Sequence, residues 1–163
     1  MDTTNIETNN LRLVLQSPED TRAQIDEMTP SEKSELSADW LALVDSATSA
    51  DPWIHRFALV QQADNAVVGS CGFKGPPTPD GAVEISYGVA PDYQGNGYAT
   101  EAAQALVSYA FSNSTVRIVR AHTLTEANAS TRVLTKCGFQ RIGEVIDPDD
   151  GLVWRWEKQN GFK

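Results

Sequence analysis

A glycine-rich turn between a strand-like segment and a helix-like segment constrains this chain more than any other feature of its sequence. Residues 82–89 have strand character, residues 99–111 have helix character, and Gly95 and Gly97 lie between them. The first backbone N–H groups of a helix have no partner within the helix, and the helix dipole adds positive potential there. Such a turn binds anions, phosphates above all. The sequence therefore predicts a site for a ligand that carries phosphate.

The segment after the turn has the clearest helical periodicity in the chain. Its apolar residues recur at intervals of three and four, which places them on one face of an α-helix. They are Ala99, Ala102, Ala103, Leu106, Val107, Ala110 and Phe111. We expect this helix to pack closely on a sheet, because its first apolar residues are small.

Segments of strand and helix character follow one another along the rest of the chain. Ser17 and Pro18 have the residue types of a helix N-cap and first turn. We predict strands at 11–15, 53–60, 66–73, 82–89, 117–124, 139–146 and 152–157, and helices from 18, from 30 past 44, at 99–111 and at 129–137. The order βααβββαβαββ predicts a single α+β domain over residues 1–163. Its sheet is mixed, mostly antiparallel, of about seven strands, with helices on both faces.

The balance of charge and hydropathy argues against several classes of function. The chain has 22 acidic and 13 basic residues and a formal net charge of −9. Nucleic-acid binding requires basic surface, whereas an acidic protein attracts cations such as amines. No apolar segment approaches the roughly 20 residues of a membrane helix, and the first residues lack signal-peptide character. We expect a cytoplasmic protein that binds neither nucleic acid nor membrane.

The few cysteines and histidines form no catalytic or metal-binding pattern. Cys71 and Cys137 lie in apolar segments, so we expect them to be packed in the core rather than to act as nucleophiles. His55 and His122 are far apart and show no metal-ligand spacing, so we expect no metal. His122 lies on the strand predicted beside residues 82–89, where contact with substrate or a part in proton transfer is an alternative to a plain strand position.

Three classes of glycine-rich turn hold phosphate-bearing ligands. A nucleotide-binding P-loop ends in Gly-Lys-Ser or Gly-Lys-Thr, which this chain lacks. A dinucleotide-binding turn needs a third glycine, where this chain has Thr100, and an acidic residue about 20 positions later, near Arg117 and Arg120. The run Gln94-Gly95-Asn96-Gly97-Tyr98-Ala99 is instead similar to the (Arg/Gln)-x-x-Gly-x-(Gly/Ala) loop of the GNAT superfamily, the acyl-coenzyme A-dependent N-acyltransferases.

Two further segments carry the same resemblance. Residues 84–89 resemble the central strand that leads into the family's loop. Residues 128–130 and 134–139 resemble a later helix and its closing Gly-Phe, closest to the ribosomal-protein-alanine N-acetyltransferase branch. The resemblance implies acetyl transfer from acetyl-coenzyme A to a primary amine, on a small molecule or a protein N-terminus. It implies direct attack through a tetrahedral intermediate, without an acyl-enzyme.

The resemblance also assigns contacts with the co-substrate. It places the backbone N–H near Val89 at the thioester carbonyl, with Gly88 allowing a bulge or close approach. It gives the Asn128 amide to the pantetheine arm, with an ordinary helix cap as the alternative. The pyrophosphate is assigned to Gln94, Gly95, Asn96, Gly97, Tyr98, Ala99 and Thr100. Because Gln94 replaces the commoner arginine, we expect weaker and less salt-sensitive binding.

The chemistry of acetyl transfer suggests two catalytic residues. A protonated amine must lose a proton before it attacks, and we nominate Glu84 as the base, with a pKa raised by its apolar neighbours. A solvated or ion-paired carboxylate is the alternative. The departing thiolate needs a proton, but the family's usual tyrosine position holds Leu134. Ser130 is then the substitute donor, unless its hydroxyl only bonds the start of the helix.

Other functions stay open from the sequence alone. The missing tyrosine keeps open a non-catalytic sensor that binds acyl-coenzyme A without turning it over. A nicotinamide oxidoreductase would bind NAD instead of coenzyme A. The sequence does not identify the amine acceptor or the oligomeric state, and a homodimer is one of the states left open.

Overall fold

One sheet of eight strands forms the centre of the protein. The computed structural model describes residues 5–34, 36, 38–48, 51–147 and 151–160. The strands are β1 (Asn5–Glu7), β2 (Leu11–Leu15), β3 (Phe57–Gln61), β4 (Val67–Phe73), β5 (Ala82–Val89), β6 (Ile118–Thr123), β7 (Gln140–Asp147) and β8 (Gly151–Gln159). The helices are α1 (Pro18–Glu27), α2 (Pro30–Ser34), α3 (Ala38–Ser46), α4 (Tyr98–Phe111) and α5 (Ala129–Lys136). This is the mixed α+β architecture that the sequence predicts.

The sheet opens between β5 and β6. The order across it is β1-β2-β3-β4-β5-β6-β8-β7, and β5 and β6 are the parallel pair in an otherwise antiparallel sheet. Their pairing extends from Ala82 to Glu84. Within the described chain, residues 85–89 have no partner on β6, although β4 stays paired with β5 as far as Val89. The carboxyl half of β5 therefore has a free edge.

The core lies between the sheet and α4. Leu11 and Leu13 of β2 and Phe57 and Leu59 of β3 are fully buried, as alternation along a strand places them on one face. The buried side chains of α4 that meet this face are Ala102, Ala103, Ala105, Leu106, Val107 and Ala110. Burying a leucine or phenylalanine contributes about 1.5–3 kcal/mol. This packing fixes the start of α4 beside the free edge of β5.

Both cysteines belong to the packed interior, as expected. Cys71 and Cys137 are buried and form no disulfide. Burial raises the pKa of the Cys71 thiol to about 12. A thiol of that pKa carries almost no thiolate at neutral pH, so Cys71 is not suited to nucleophilic chemistry.

Glycines with left-handed backbone angles bound the two helices nearest the free edge. Gly97 is the N-cap of α4 with φ of 81°, and Gly95 precedes it with φ of 86°. Gly138 follows α5 with φ of 86°, the left-handed conformation in which helices commonly end. At these angles a side chain would strain the backbone, so glycine is required by the turns themselves.

Three details of the predicted elements differ from the structure. An additional short strand, β1, pairs with β2 at the sheet edge. The helix predicted from 30 past 44 is divided into α2 and α3, with the N–H of Leu36 donating to Lys33 in a tight turn. The strand predicted from 53 starts only at Phe57, because the N–H of Asp51 donates to Nδ1 of His55 and closes a turn.

Among the described residues, the longest apolar helices are too short or too polar to cross a bilayer.

Candidate active site

A cavity of about 490 Å³ lies where β5 separates from β6. The end of β5, the glycine turn, the start of α4 and the first turns of α5 form its wall. The wall includes most of the residues predicted to contact a co-substrate: Gly88, Val89, Gln94, Gly95, Gly97, Tyr98, Ala99, Thr100 and Ser130. Asn96 and Asn128 lie outside this wall. The structure thus brings three separate sequence segments to one cavity.

The start of α4 presents free backbone donors to the cavity. The N–H of Glu101 donates to the carbonyl of Gly97, which is the first bond of the helix. The N–H groups of residues 98–100 come before that bond and have no partner within the helix. Together with the helix dipole they form a site of positive potential that suits a phosphate.

The polar side chains of the glycine turn hold the turn together. The Gln94 side-chain amide donates to the carbonyl of Val89 at 2.9 Å, and that of Asn96 donates to Tyr93 at 3.1 Å. Gln94 therefore ties the turn back to the end of β5. An anion in this cavity would be bound chiefly by backbone groups on this side.

Positive side chains on the opposite wall were missed from the sequence. Arg132 and Lys136 line the cavity and lie one turn apart on α5. Residues four apart lie on the same face of a helix, so the basic pair was a readable signal. These two side chains give the cavity the positive charge that the neutral Gln94 does not.

Asn128 and Thr131 cap α5 reciprocally. Oδ1 of Asn128 accepts from the N–H of Thr131 at 3.0 Å, and Oγ1 of Thr131 accepts from the N–H of Asn128 at 2.9 Å. The structural alternative for Asn128, a helix N-cap, is therefore present. One amide can both cap a helix through its oxygen and donate through its nitrogen, so a contact with pantetheine stays a prediction.

Tyr87 is a second feature that the sequence analysis missed. It lines the cavity from β5, and its hydroxyl donates to the carbonyl of Ser130 at 3.4 Å. Burial raises the pKa of Tyr87 well above its ordinary value, so the phenol keeps its proton at neutral pH. Strand alternation places Tyr87 and Glu84 on opposite faces of β5, and only Tyr87 lines the cavity.

Glu84 lies among charged groups on the other face of β5. Its carboxylate is 3.0 Å from Nζ of Lys74 and 3.2 Å from Nδ1 of His122. Burial by itself raises the pKa of Glu84, but the contacts with His122 and Lys74 outweigh burial and hold it below the ordinary value. The expectation of a raised pKa is therefore wrong. The sequence showed apolar neighbours along β5 and could not show the contacts with Lys74, which follows β4, and with His122 of β6.

His122 links this carboxylate to a second one. Its side chain is only 5% exposed, and Nδ1 lies 3.6 Å from Asp147 as well as close to Glu84. Arg155 donates from Nε to Nε2 of His122 at 3.2 Å. Because Nε2 accepts that bond, the proton of the neutral ring is on Nδ1 and faces the carboxylates.

The same three side chains are close enough to hold a metal ion. One ligand atom each from Glu84, His122 and Asp147 lies within 4.8 Å of the others. A metal would need the lone pair of Nδ1, which is protonated while Nε2 accepts from Arg155. The hydrogen-bonding of the ring therefore favours a chain of polar contacts over a metal centre.

Comparisons with a family model and with known proteins indicate the same family. The family model described as "Acetyltransferase (GNAT) domain" matches residues 6–140 of this chain. The uncharacterized N-acetyltransferase p20 of Bacillus licheniformis is 26% identical over 134 residues, which cover 82% of this chain and 70% of that protein. The uncharacterized N-acetyltransferase YjdG of Bacillus subtilis is 34% identical over 89 residues, 55% of this chain and 51% of that protein.

Solved structures show the same fold. A GNAT-family acetyltransferase from Bacillus anthracis superposes with a TM-score of 0.68 at 20% identity, covering 96% of this chain and 98% of that one. The ribosomal-protein-S5-alanine acetyltransferase from Vibrio fischeri gives 0.71 at 16% identity, covering 97% of each chain. The enzyme AAC(6′)-Ib, in complex with ribostamycin and coenzyme A, gives 0.65 at 18% identity, covering 93% and 94%.

Proposed function

The chain belongs to the acetyltransferase (GNAT) family, and from that premise we propose that it moves an acetyl group from acetyl-coenzyme A to a primary amine by direct attack. The observation that carries this proposal is the cavity at the free edge of β5, which combines backbone donors, basic side chains and a partly buried phenol. Backbone donors and basic side chains suit the phosphates of such a thioester, and the phenol suits protonation of the departing thiolate. The acceptor is the part of the reaction that these features leave open.

The residues of the cavity fit the parts of acetyl-coenzyme A. We assign the pyrophosphate to the N–H groups of residues 98–100, with Arg132 and Lys136 on the facing wall. Asn96 supports that loop through its bond to Tyr93. The free edge of residues 85–89 offers unpaired backbone groups to an extended chain such as pantetheine, as an open strand edge does to a peptide. Asn128 would add its amide nitrogen.

The backbone N–H near Val89 is our candidate for binding the thioester carbonyl. This strand end is held by β4 on one side, where Val89 pairs with Gly69, and is free on the other. A donor that is already fixed in place stabilises developing negative charge without reorganisation. Gly88 is exposed and carries no side chain, so a substrate can approach the backbone here.

Glu84 is our candidate for handling the amine. Its lowered pKa makes it a carboxylate at neutral pH but a weak base, while an amine of pKa near 10 arrives protonated. Glu84 therefore suits attracting and positioning the ammonium group and stabilising positive charge on nitrogen, while the proton leaves through water. His122 and Lys74 keep the carboxylate ionised and in place.

Tyr87 is our candidate for protonating the departing thiolate. Leu134, at the position where the family's usual tyrosine is expected, is fully buried and has no proton to give. The hydroxyl of Tyr87 reaches the first turn of α5 from the strand instead, next to Ser130. Ser130, the donor predicted from sequence, lines the same cavity and would orient the sulfur.

Release of free coenzyme A thiol tests the proposed function. The full chain would be incubated with acetyl-coenzyme A and a panel of amino acids, polyamines, aminoglycosides and peptides with free N-termini, and acetylated acceptors identified by their mass. We expect thiol release that depends on one class of amine and is lost in Glu84→Gln. Release without any acetylated acceptor would contradict the proposal.

A non-catalytic sensor is the second candidate, because Leu134 stands where the family's acid is expected. The thiol-release experiment distinguishes this sensor from a transferase. Tight binding of acetyl-coenzyme A with no turnover on the whole panel would establish the sensor, and binding of NAD in its place would establish the oxidoreductase.

A further inference from the structure

Arg56 places a partly buried positive charge on the face of the sheet that carries Glu84. The residue directly precedes β3, and its guanidinium extends across β4 to β5. Its NH1 group donates to Oγ of Ser86 at 2.7 Å, and its Nε group lies 3.4 Å from Oγ of Ser70. Gly72 lies beneath it, and a Cβ atom there would come within 3.3 Å of Cα of Arg56. Three positions on β4 and β5, which are Ser70, Gly72 and Ser86, thus form a seat for this guanidinium.

This guanidinium has no carboxylate partner in the part of the chain that the structure describes. Its two partners, Ser70 and Ser86, are neutral hydroxyls. Burial lowers the pKa of Arg56, which reports the cost of holding the charge there. Removing a charge from water without an opposite charge is costly. None of the acidic residues that the structure describes pairs with this guanidinium.

Neighbouring cations on the same face are paired. Lys74 lies 3.0 Å from Glu84, and Arg120 lies 2.8 Å from Glu157. The five donors of a guanidinium form a planar fork that matches a carboxylate, and hydroxyls from one side use only part of it. The Arg56 side chain is only partly buried, and its remaining donors have no carboxylate partner among the described residues, so an anionic group from outside the chain would complete its hydrogen bonding.

The seat lies close to the atoms that we propose to react. Ser70 pairs with Gly88, and Gly72 pairs with Ser86. Ser86 is two residues from Glu84 on the same face of β5, a separation of about 7 Å along a strand. An anion on Arg56 would therefore be held between the carboxylate that receives the ammonium group and the open end of β5.

We propose that the acceptor carries a carboxylate next to its amine, as a free amino acid does, and that Arg56 binds this carboxylate while Glu84 faces the amine. The inference rests on the proposed acetyl transfer and narrows its acceptor. A peptide N-terminus has an uncharged amide where the amino acid has its carboxylate. A polyamine or an aminoglycoside brings positive charges and no anion to the seat.

Pairs of amino acids and their carboxamides test the inference directly. The two members of each pair differ in the charge of the carboxylate. Because they also differ in the pKa of the amine, rates would be corrected for the fraction of unprotonated amine. We expect kcat/KM of the full chain for the preferred acid to exceed that of its carboxamide by about 10- to 100-fold, the range for a hydrogen bond to a charged group. Equal values for the two members of each pair would overturn the inference.

Variants of Arg56 separate recognition from folding. Arg56→Gln should lower kcat/KM for the acid about 10- to 100-fold and leave the carboxamide within about threefold. Arg56→Lys should recover part of the loss, and Ser86→Ala should weaken binding of the acid while retaining the charge. Arg12→Gln, which removes an exposed guanidinium from β2, is the matched control.

The outcomes distinguish this inference from the proposed function. Polyamines, aminoglycosides or peptide N-termini could be acetylated as efficiently as amino acids. That result would support acetyl transfer but contradict binding of the acceptor carboxylate by Arg56. Loss of both acid and carboxamide turnover in Arg56→Gln and Arg56→Lys, with thermal unfolding also shifted, would show a structural role and overturn the inference. Absence of thiol release with every amine would contradict the proposed function itself.

Discussion

Arg155 donates from Nε to Nε2 of His122 at 3.2 Å, and this contact fixes which ring nitrogen carries the proton. The N–H on Nδ1 then faces Glu84 at 3.2 Å and Asp147 at 3.6 Å. The imidazole of His122 is held between Arg155 on β8 and carboxylates on β5 and β7. The ionisation of Glu84 thus depends on His122 from β6 and on Lys74, which directly follows β4.

Replacing His122 should move the acidic limb of the pH–rate profile. Contact with His122 lowers the pKa of Glu84, so the carboxylate stays ionised to below the ordinary value of 4.5. His122→Phe removes the N–H donor, so the pKa of Glu84 should rise. The acidic limb of the kcat/KM profile should therefore shift to higher pH. His122→Asn can present an N–H near the position of Nδ1 and should shift it less. An unchanged limb in His122→Phe would show that Glu84 does not control the rate.

Removing the phenol of Tyr87 should slow the chemical step. General acid catalysis contributes about 100- to 10,000-fold, so we expect Tyr87→Phe to lower kcat at least about 100-fold with little change in KM for acetyl-coenzyme A. Ser130→Ala should have the smaller effect. Tyr109→Phe makes the same change at a partly buried tyrosine that packs on Trp53 and Phe73, and is the control. If Ser130→Ala costs more than Tyr87→Phe, the serine is the donor predicted from sequence.

The fold and the part of the site formed by the glycine turn and the start of α4 could be predicted, because both depend on local patterns. The periodicity of residues 99–111 and the angles required of Gly95 and Gly97 are properties of short segments. The direction of the pKa shift of Glu84 could not be predicted, since Lys74 and His122, which lower it, come from outside β5. Arg56 was missed for the same reason, because its partners Ser70 and Ser86 are brought to it only by the sheet register.

Two basic residues on α5 should provide most of the salt dependence of co-substrate binding. Arg132→Gln and Lys136→Gln should each weaken acetyl-coenzyme A about 3- to 10-fold and flatten the decline of affinity with salt, since each removes a charged contact. Gln94→Arg should act in the opposite direction on both quantities. Lys33→Gln, on the exposed helix α2, is the control. Titration at several salt concentrations measures these effects, and equal slopes in all variants would contradict the assignment.

His55 should make the fold sensitive to mild acid. Burial lowers the pKa of His55 below 6.5, its ordinary value, and Nδ1 accepts from the N–H of Asp51. Its stabilising contribution is complete above pH 6.5 and is lost as the pH falls through the folded-state pKa, because the unfolded chain then binds the additional proton. The loss is at most about 1.4 kcal/mol per pH unit for one group.

His55→Asn tests this sensitivity, since it retains an acceptor for Asp51 without a group that titrates near neutrality. The free energy of unfolding from urea titrations should fall less for His55→Asn than for the unaltered chain as the pH decreases from 7 to 5. Parallel declines in the two proteins would assign the acid sensitivity to other groups.

Close contact between β4 and β5 should make Gly69 indispensable. A Cβ atom on Gly69 would overlap the carbonyl oxygen of Gly88 and lie 3.0 Å from Cα of Val89. These are backbone atoms within a paired register, so they cannot rotate away as a side chain would. Gly69→Ala must therefore push the end of β5 away from β4, and we expect a loss of about 1–3 kcal/mol of unfolding free energy, as for overpacking elsewhere.

Gly88→Ala provides the matched measurement, because a Cβ atom there meets nothing within 4 Å. Urea unfolding should show Gly88→Ala close to the unaltered chain in stability, and Gly69→Ala clearly below it. Since Val89 pairs with Gly69, the same displacement should weaken binding of acetyl-coenzyme A in Gly69→Ala. If Gly69→Ala matched Gly88→Ala in stability and matched the unaltered chain in affinity for acetyl-coenzyme A, the edge of β5 would tolerate movement, and a fixed donor near Val89 could then not be the basis of catalysis.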